Sequence, residues 1–179
     1  MKNMAMHMLD IAENAVRAGA THIRIRLESS QKHQTYVMLI QDDGAGMDKE
    51  TLEKATDPYF SSRKTRKIGL GLPLLKQNAT LTGGEFRLES EPGKGTKVEA
   101  VFRQDHLDCL PEGDIADAFV FLLSSHPERQ WTLAYQKDGG CYEVSSQEIK
   151  EVLGDTPLHI SEVRKFLSEM INENIKTLT

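Results

Sequence analysis

Apolar residues recur at helical spacing from the start of the chain. Met4, Met8, Ile11, Ala12 and Ala15 share one face, so residues 3–18 are predicted to form a helix that Gly19 ends. The period then drops to two. His22–Leu27 alternates and predicts a strand, Thr35–Ile40 predicts a second, more apolar one, and Ser29–Gln34 is the turn between them. Asp42–Met47 reads as a loop, Lys49–Ala55 as a short helix, and Asp57–Ile68 as a polar, basic, irregular segment. Helical spacing returns over Leu72–Leu81, and Pro73 suits a first turn, where no amide donor is needed. Gly83-Gly84 turns the chain into a strand at Glu85–Ser90. The Gly-rich turn Pro92–Thr96 leads into another at Lys97–Phe102.

The composition shifts near Arg103. Gln104–Gly113 reads as a linker, and Asp114–Leu123 as a helix with Asp114 near its N-cap. Gln130–Gln136 and Cys141–Ser145 flank Lys137-Asp138-Gly139-Gly140 and predict a hairpin. Ser146–Leu153 is a helix closed by Gly154. Ser161–Leu178 is an amphipathic helix with Val163, Phe166, Leu167, Met170, Ile171 and Ile175 on one side. The pattern predicts an α+β sandwich over residues 1–103 and a small α/β appendage over residues 104–179.

Charge separates these two parts. Residues 104–179 hold 14 acidic and 6 basic side chains, against 13 and 16 in residues 1–103. An acidic chain with an acidic second half disfavours nucleic acid as a partner, while the slightly basic first half suits a small anion. At 179 residues the chain needs no staples to bury a core. It has no run of 18 apolar residues and no signal-peptide pattern over Met1–Met8, so no membrane span and a cytoplasmic location are expected. Cys109 and Cys141, without CxxC spacing or a basic cluster, read as free packing thiols in a reducing compartment.

Four groups of residues carry candidate chemistry. On the first helix, Asp10, Asn14 and Arg17 fall at i, i+4 and i+7 and share a polar face. An amide oxygen can bind Mg²⁺, a guanidinium a phosphate oxygen, and a carboxylate can orient water. A merely solvated helix face shows the same pattern. Asp42-Asp43-Gly44-Ala45-Gly46 follows the apolar strand. Its carboxylate can accept from an exocyclic amine and its glycines permit close backbone approach, although a plain Asp-Gly turn reads alike. Gly69-Leu70-Gly71-Leu72 precedes a helix and exposes unpaired amides at its positive end, with Arg63, Lys64, Arg66 and Lys67 just upstream. Gly93-Lys94-Gly95-Thr96 opens the last strand of the first part.

In this order and spacing the four groups resemble the GHKL ATP-binding superfamily of gyrase, the large heat-shock chaperone, histidine kinases and MutL. Asp10-Ile11-Ala12-Glu13-Asn14 is similar to its N box and Asp42 to Gly46 to its first glycine box. Pro58-Tyr59-Phe60-Ser61-Ser62-Arg63-Lys64 is similar to the Phe box of its ATP lid. Gly69 to Leu72 and Gly93 to Thr96 are similar to its remaining glycine boxes. The resemblance covers roughly residues 3–103. It implies the Bergerat fold, a mixed sheet covered on one face by helices, with ATP between helix and lid. It further implies Asn14 as the Mg²⁺ ligand, Arg17 on phosphate, and Asp42 on the adenine with Gly46 and Thr96 beside the ring. Ser61, Ser62, Lys64 and the Gly69–Leu72 amides would lie along the triphosphate, and Gly44, Met47 and Phe60 complete the nucleotide-binding set.

The departures bear on activity. Where gyrase-like and MutL-like members carry a water-activating Glu, this chain has Asp10, one methylene shorter. Thirteen residues precede Asn14 here, so no phosphoacceptor helix pair is expected, and His7 is expected to be a surface residue of the helix. The whole chain is similar to stand-alone histidine-kinase-like ATP-binding proteins. The expected function is slow Mg²⁺–ATP hydrolysis or transfer of the γ-phosphate to a separate protein. The appendage would recruit that unknown partner or hold two subunits together. A non-catalytic ATP-sensing module and an anti-sigma-type serine kinase are the alternatives.

Overall fold

The first helix, α1 (Met4–Arg17), starts where the Asn3 side chain accepts the Met6 amide. It closes at Ala18, and Gly19 follows at φ +75°. The computed structural model describes residues 1–59 and 70–179. After α1 come β1 (His22–Ser30), β2 (Thr35–Asp42), α2 (Lys49–Lys54), α3 (Gly71–Leu81), β3 (Glu85–Glu91) and β4 (Gly95–Arg103). The second part adds α4 (Ile115–Ser125), β5 (Gln130–Lys137), β6 (Gly140–Ser145), α5 (Ser146–Leu153) and α6 (Ser161–Lys176).

The strands form one mixed sheet in the order β3-β4-β2-β1-β5-β6. All neighbours are antiparallel except β1 and β5, which run parallel. Alternation sorts the side chains. Ile25, Ile40 and Val98 form one buried row across the sheet, and Leu27, Met38 and Ala100 form the next. Trp131, Leu133 and Tyr135 of β5 continue this face beside Ile23, Ile25 and Leu27. The other face presents Arg24, Arg26, Gln41, Arg87 and Glu143 to solvent. Helices α1 and α3 pack against β2, β3 and β4, α4 packs on α1, and α6 on α4. This is the expected α+β architecture, a mixed sheet with helices over its apolar face.

Residues 104–179 extend the same sheet and the same core. In the segment expected to be a linker, the carbonyls of Pro111 and Glu112 accept the amides of Met4 and Ala5, both at 2.9 Å. The Tyr135 hydroxyl donates to Glu112 Oε1 at 2.6 Å. The helix expected from Asp114 begins at Ile115, with the Asp114 side chain accepting the Asp117 amide. Strands β1, β2 and β4 run longer than the alternation predicts. Ser29 and Ser30 pair with Tyr36 and Thr35, which shortens the turn to residues 31–34. On α6, Leu167 and Ile171 are buried while Phe166 is exposed.

His7 departs from its expected place on the helix surface. It is fully buried, because α1 is covered by the sheet on one side and by α3 and α4 on others. Met4, His7 and Ile11 stand at i, i+3 and i+7, so His7 lies within the buried stripe. Asn78 of α3 is its hydrogen-bond partner, at 2.8 Å from Nε2. Burial, and secondarily the amino-terminal charge, lower the His7 pKa to about 4, so the imidazole is neutral near pH 7. Among the described residues no helix is long and apolar enough to cross a membrane.

Candidate functional site

The site has two ends. At one, the inner-face row Asp42, Thr96 and Ser90 crosses β2, β4 and β3. Asp42 closes β2 half-buried, and its Oδ1 accepts the Gly44 amide at 2.8 Å. Burial raises its pKa, against the pull of the Gly44 and Thr96 amides, which favour the charged form. The Ser90 hydroxyl receives the Met47 amide at 2.8 Å and lies 3.0 Å from the Gly95 carbonyl and 2.9 Å from Thr96 Oγ1. An open cleft of about 530 Å³ is walled here by Asp42, Leu52, Leu88, Ser90, Lys94 and Thr96.

Two glycines let the loops around Asp42 meet. A Cβ on Gly46, whose φ is +69°, would fall 1.9 Å from the Glu91 carbonyl oxygen. One on Gly95, at φ +94°, would fall 2.0 Å from that of Asp42. Backbone bonds from Ala45 to Ala18 and from Gly93 to Ala45 tie both loops to the end of α1. Asp43 has a structural task. It accepts the Thr21 and His22 amides and the Thr21 hydroxyl, at 2.7, 3.0 and 2.6 Å. Desolvation alone would raise its pKa, but these bonds together outweigh it and the pKa is lowered.

At the other end, Asp10, Asn14 and Arg17 project from one face of α1. The Arg17 guanidinium donates to Asn14 Oδ1. Asp10 abuts the start of α3: a Cβ on Gly71 would fall 1.5 Å from Asp10 Oδ2. That oxygen is buried and has no hydrogen-bond partner among the described residues. Burial raises the Asp10 pKa; Arg17 opposes the rise and Glu13 adds to it. Leu70 precedes α3 exposed and gives no side-chain cap, so among the described residues no side chain caps the first amides of α3, beside buried Gly71 and Leu72.

Thus Asp42, Gly44, Gly46, Met47 and Thr96 come together at one end, and Asp10, Asn14, Arg17, Leu70, Gly71 and Leu72 lie at the other. Phe60, Ser61, Ser62, Lys64 and Gly69 lie outside the described residues. Sequence reasoning missed Ser90, although a polar residue continuing the inward positions Phe86 and Leu88 is a readable signal. It also missed the pair His7–Asn78, which joins α1 to α3.

The fold is an α+β sandwich, a mixed six-stranded sheet with helices over its apolar face. Residues 4–106 match the family described as histidine kinase-, DNA gyrase B-, and HSP90-like ATPase, and the chain belongs to that family and binds ATP. It is similar, at 30% identity over 53% of its length, to a protein of Shewanella frigidimarina named as a sensor protein. It is also similar, at 33% identity over 57% of its length, to the cell-division control histidine kinase PdhS of Brucella ovis and of Brucella abortus. The matches cover 15% of the Shewanella protein and 11% of the Brucella kinases, so the chain spans a small part of these relatives.

Proposed function

We propose that this chain binds Mg²⁺–ATP with the adenine against Asp42 and Thr96 and the phosphates between α1 and the start of α3. In this reading it hydrolyses ATP slowly or passes the γ-phosphate to a separate protein. The observation that carries the reading is the packing of Asp10 on Gly71. It sets a carboxylate against the positive end of a helix, on the α1 face that also carries Asn14 and Arg17.

The donor set fits Mg²⁺, a hard cation that takes oxygen ligands and is held by one or two protein groups together with phosphate and water. Asn14 Oδ1 would hold it, and the buried, unpartnered Asp10 Oδ2 marks a position suited to a polar ligand. When bound, the metal neutralises phosphate charge. Arg17 and the α3 amides place further positive charge along the phosphates, which is most of what phosphoryl transfer requires. Asp10 accepts the proton of an attacking water. Its raised pKa makes it a stronger base than an ordinary carboxylate, while its short side chain limits its reach, so turnover is slow.

Incubation with γ-labelled ATP, alone and with cell lysate, separates hydrolysis, self-labelling and transfer to a partner. Asp10→Asn should retain ATP binding and lose about 10²–10⁴-fold of the turnover. Hydrolysis by this variant at the wild-type rate would remove the carboxylate from the mechanism.

The alternative is an ATP-sensing module in which the nucleotide changes how residues 104–179 meet a partner. It is favoured by the contacts those residues make with α1. Pro111 and Glu112 accept the amides of Met4 and Ala5, and His126 Nε2 lies 2.9 Å from Glu13 Oε1, next to Asn14.

A further inference from the structure

We propose that Ser90, without touching the nucleotide, sets the base preference of the site by fixing the direction of the Thr96 hydroxyl. The inference rests on the reading of Asp42 and Thr96 as the base site. A serine hydroxyl has one proton and two lone pairs. The Gly95 carbonyl can only accept, so the Ser90 proton goes there, at 3.0 Å. The Met47 amide can only donate and fills one lone pair, at 2.8 Å. The remaining lone pair faces Thr96 Oγ1 at 2.9 Å, so Thr96 is the donor of that bond.

Thr96 has therefore committed its proton inside the wall and offers only lone pairs to the cleft. Asp42, its partner across the β2–β4 ladder, also only accepts when ionised. Two adjacent acceptors suit a purine edge that donates, directly or through water. Facing position 6, they accept the hydrogens of a 6-amino group and set acceptor against acceptor for the oxygen of a 6-oxo purine. A buried acceptor left unpaired costs more than a made bond gains, so the arrangement discriminates chiefly by rejection. Ser90 is a positioning residue, and the hydroxyl it orients is the reader.

Calorimetry on the full chain with ATP and inosine triphosphate, in which oxygen replaces the 6-amino group, tests this. Wild type should prefer ATP. In Ser90→Ala the freed Thr96 hydroxyl can rotate and donate to a 6-oxo group, so the ATP-to-inosine-triphosphate ratio should narrow about three- to tenfold. Ser90→Thr keeps the hydroxyl and should keep the ratio. Should Ser90→Ala not fold, Thr96→Val reads the same quantity and should narrow the ratio likewise. Equal weakening of both nucleotides by Ser90→Ala, or an unchanged ratio in Thr96→Val, would overturn the proposal. Failure of wild type to bind ATP, or unchanged ATP affinity in Asp42→Asn, would instead overturn the base-site reading beneath it.

Discussion

A neutral imidazole in the interior makes stability depend on acid. His7 titrates near 6.5 when unfolded and at about 4 in the fold, because burial penalises its charged form. Between those values the unfolded chain binds a proton that the native chain refuses. Its contribution is therefore intact above pH 6.5 and is lost as the pH falls toward 4, by up to about 3 kcal/mol. Asp10 works the other way: its raised pKa means that the native state takes up a proton more readily, which favours the fold on acidification. Replacing His7 by Gln removes one titration and keeps an amide facing Asn78. Urea midpoints measured from pH 4 to 6.5 should fall less steeply in His7→Gln than in wild type, and parallel slopes would show that His7 does not titrate in this window. The residue was hidden in the sequence by its type. A polar side chain at an apolar spacing is counted with the exposed face, and only the covering of α1 by α3 and α4 shows why it is inside. The placement of Asp42, Asn14 and the glycines was legible because it depends on local backbone and on a motif order that short segments carry.

At the level of elements, the α1–α3 contact is the joint on which the proposed phosphate end depends. It is fixed at two points, where Asp10 meets Gly71 and where His7 meets Asn78 two turns along α3. Gly71 has no left-handed backbone, and alanine is favoured over glycine in a helix by about 1 kcal/mol, so Gly71→Ala should not weaken α3 itself. The added methyl, however, would coincide with Asp10 Oδ2 and must displace either the carboxylate or the helix. Turnover in Gly71→Ala should fall at least about tenfold, in line with the loss expected when a catalytic group moves by an ångström. Unchanged turnover would mean that Asp10 does not act from this position. Among the described residues every helix and strand was readable from periodicity to within a few residues. The strand ends were not, because Ser29, Ser30, Gln41 and Asp42 are polar and join the sheet only through cross-strand bonds. The neighbour of β1 was equally hidden: β5 pairs with it in parallel across more than a hundred residues, a distance that no local pattern encodes.

For the whole molecule that pairing has a measurable consequence. Without β5, the long strand β1 would be an open edge with Ile23, Ile25 and Leu27 on its apolar face, a template for association. Residues 104–179 also hold α1 at both ends. The carbonyls of Pro111 and Glu112 cap its first turn, and Arg129 donates to the Ala20 carbonyl at 2.7 Å just beyond its last. We therefore expect nucleotide binding in residues 1–103 and folding of residues 104–179 to be one cooperative event. The single tryptophan makes this testable, because Trp131 is buried in β5, and its indole donates to the His126 carbonyl at 3.1 Å. Its emission reports the second part of the chain, while the nucleotide site lies in the first. Saturating ATP at about a hundred times its dissociation constant stabilises a coupled fold by about 2.7 kcal/mol. The urea midpoint followed by Trp131 emission should then rise with ATP and coincide with the loss of nucleotide binding. A Trp131 transition that ignores ATP would show two units that unfold separately, and with it the route by which residues 104–179 could sense the nucleotide would be lost.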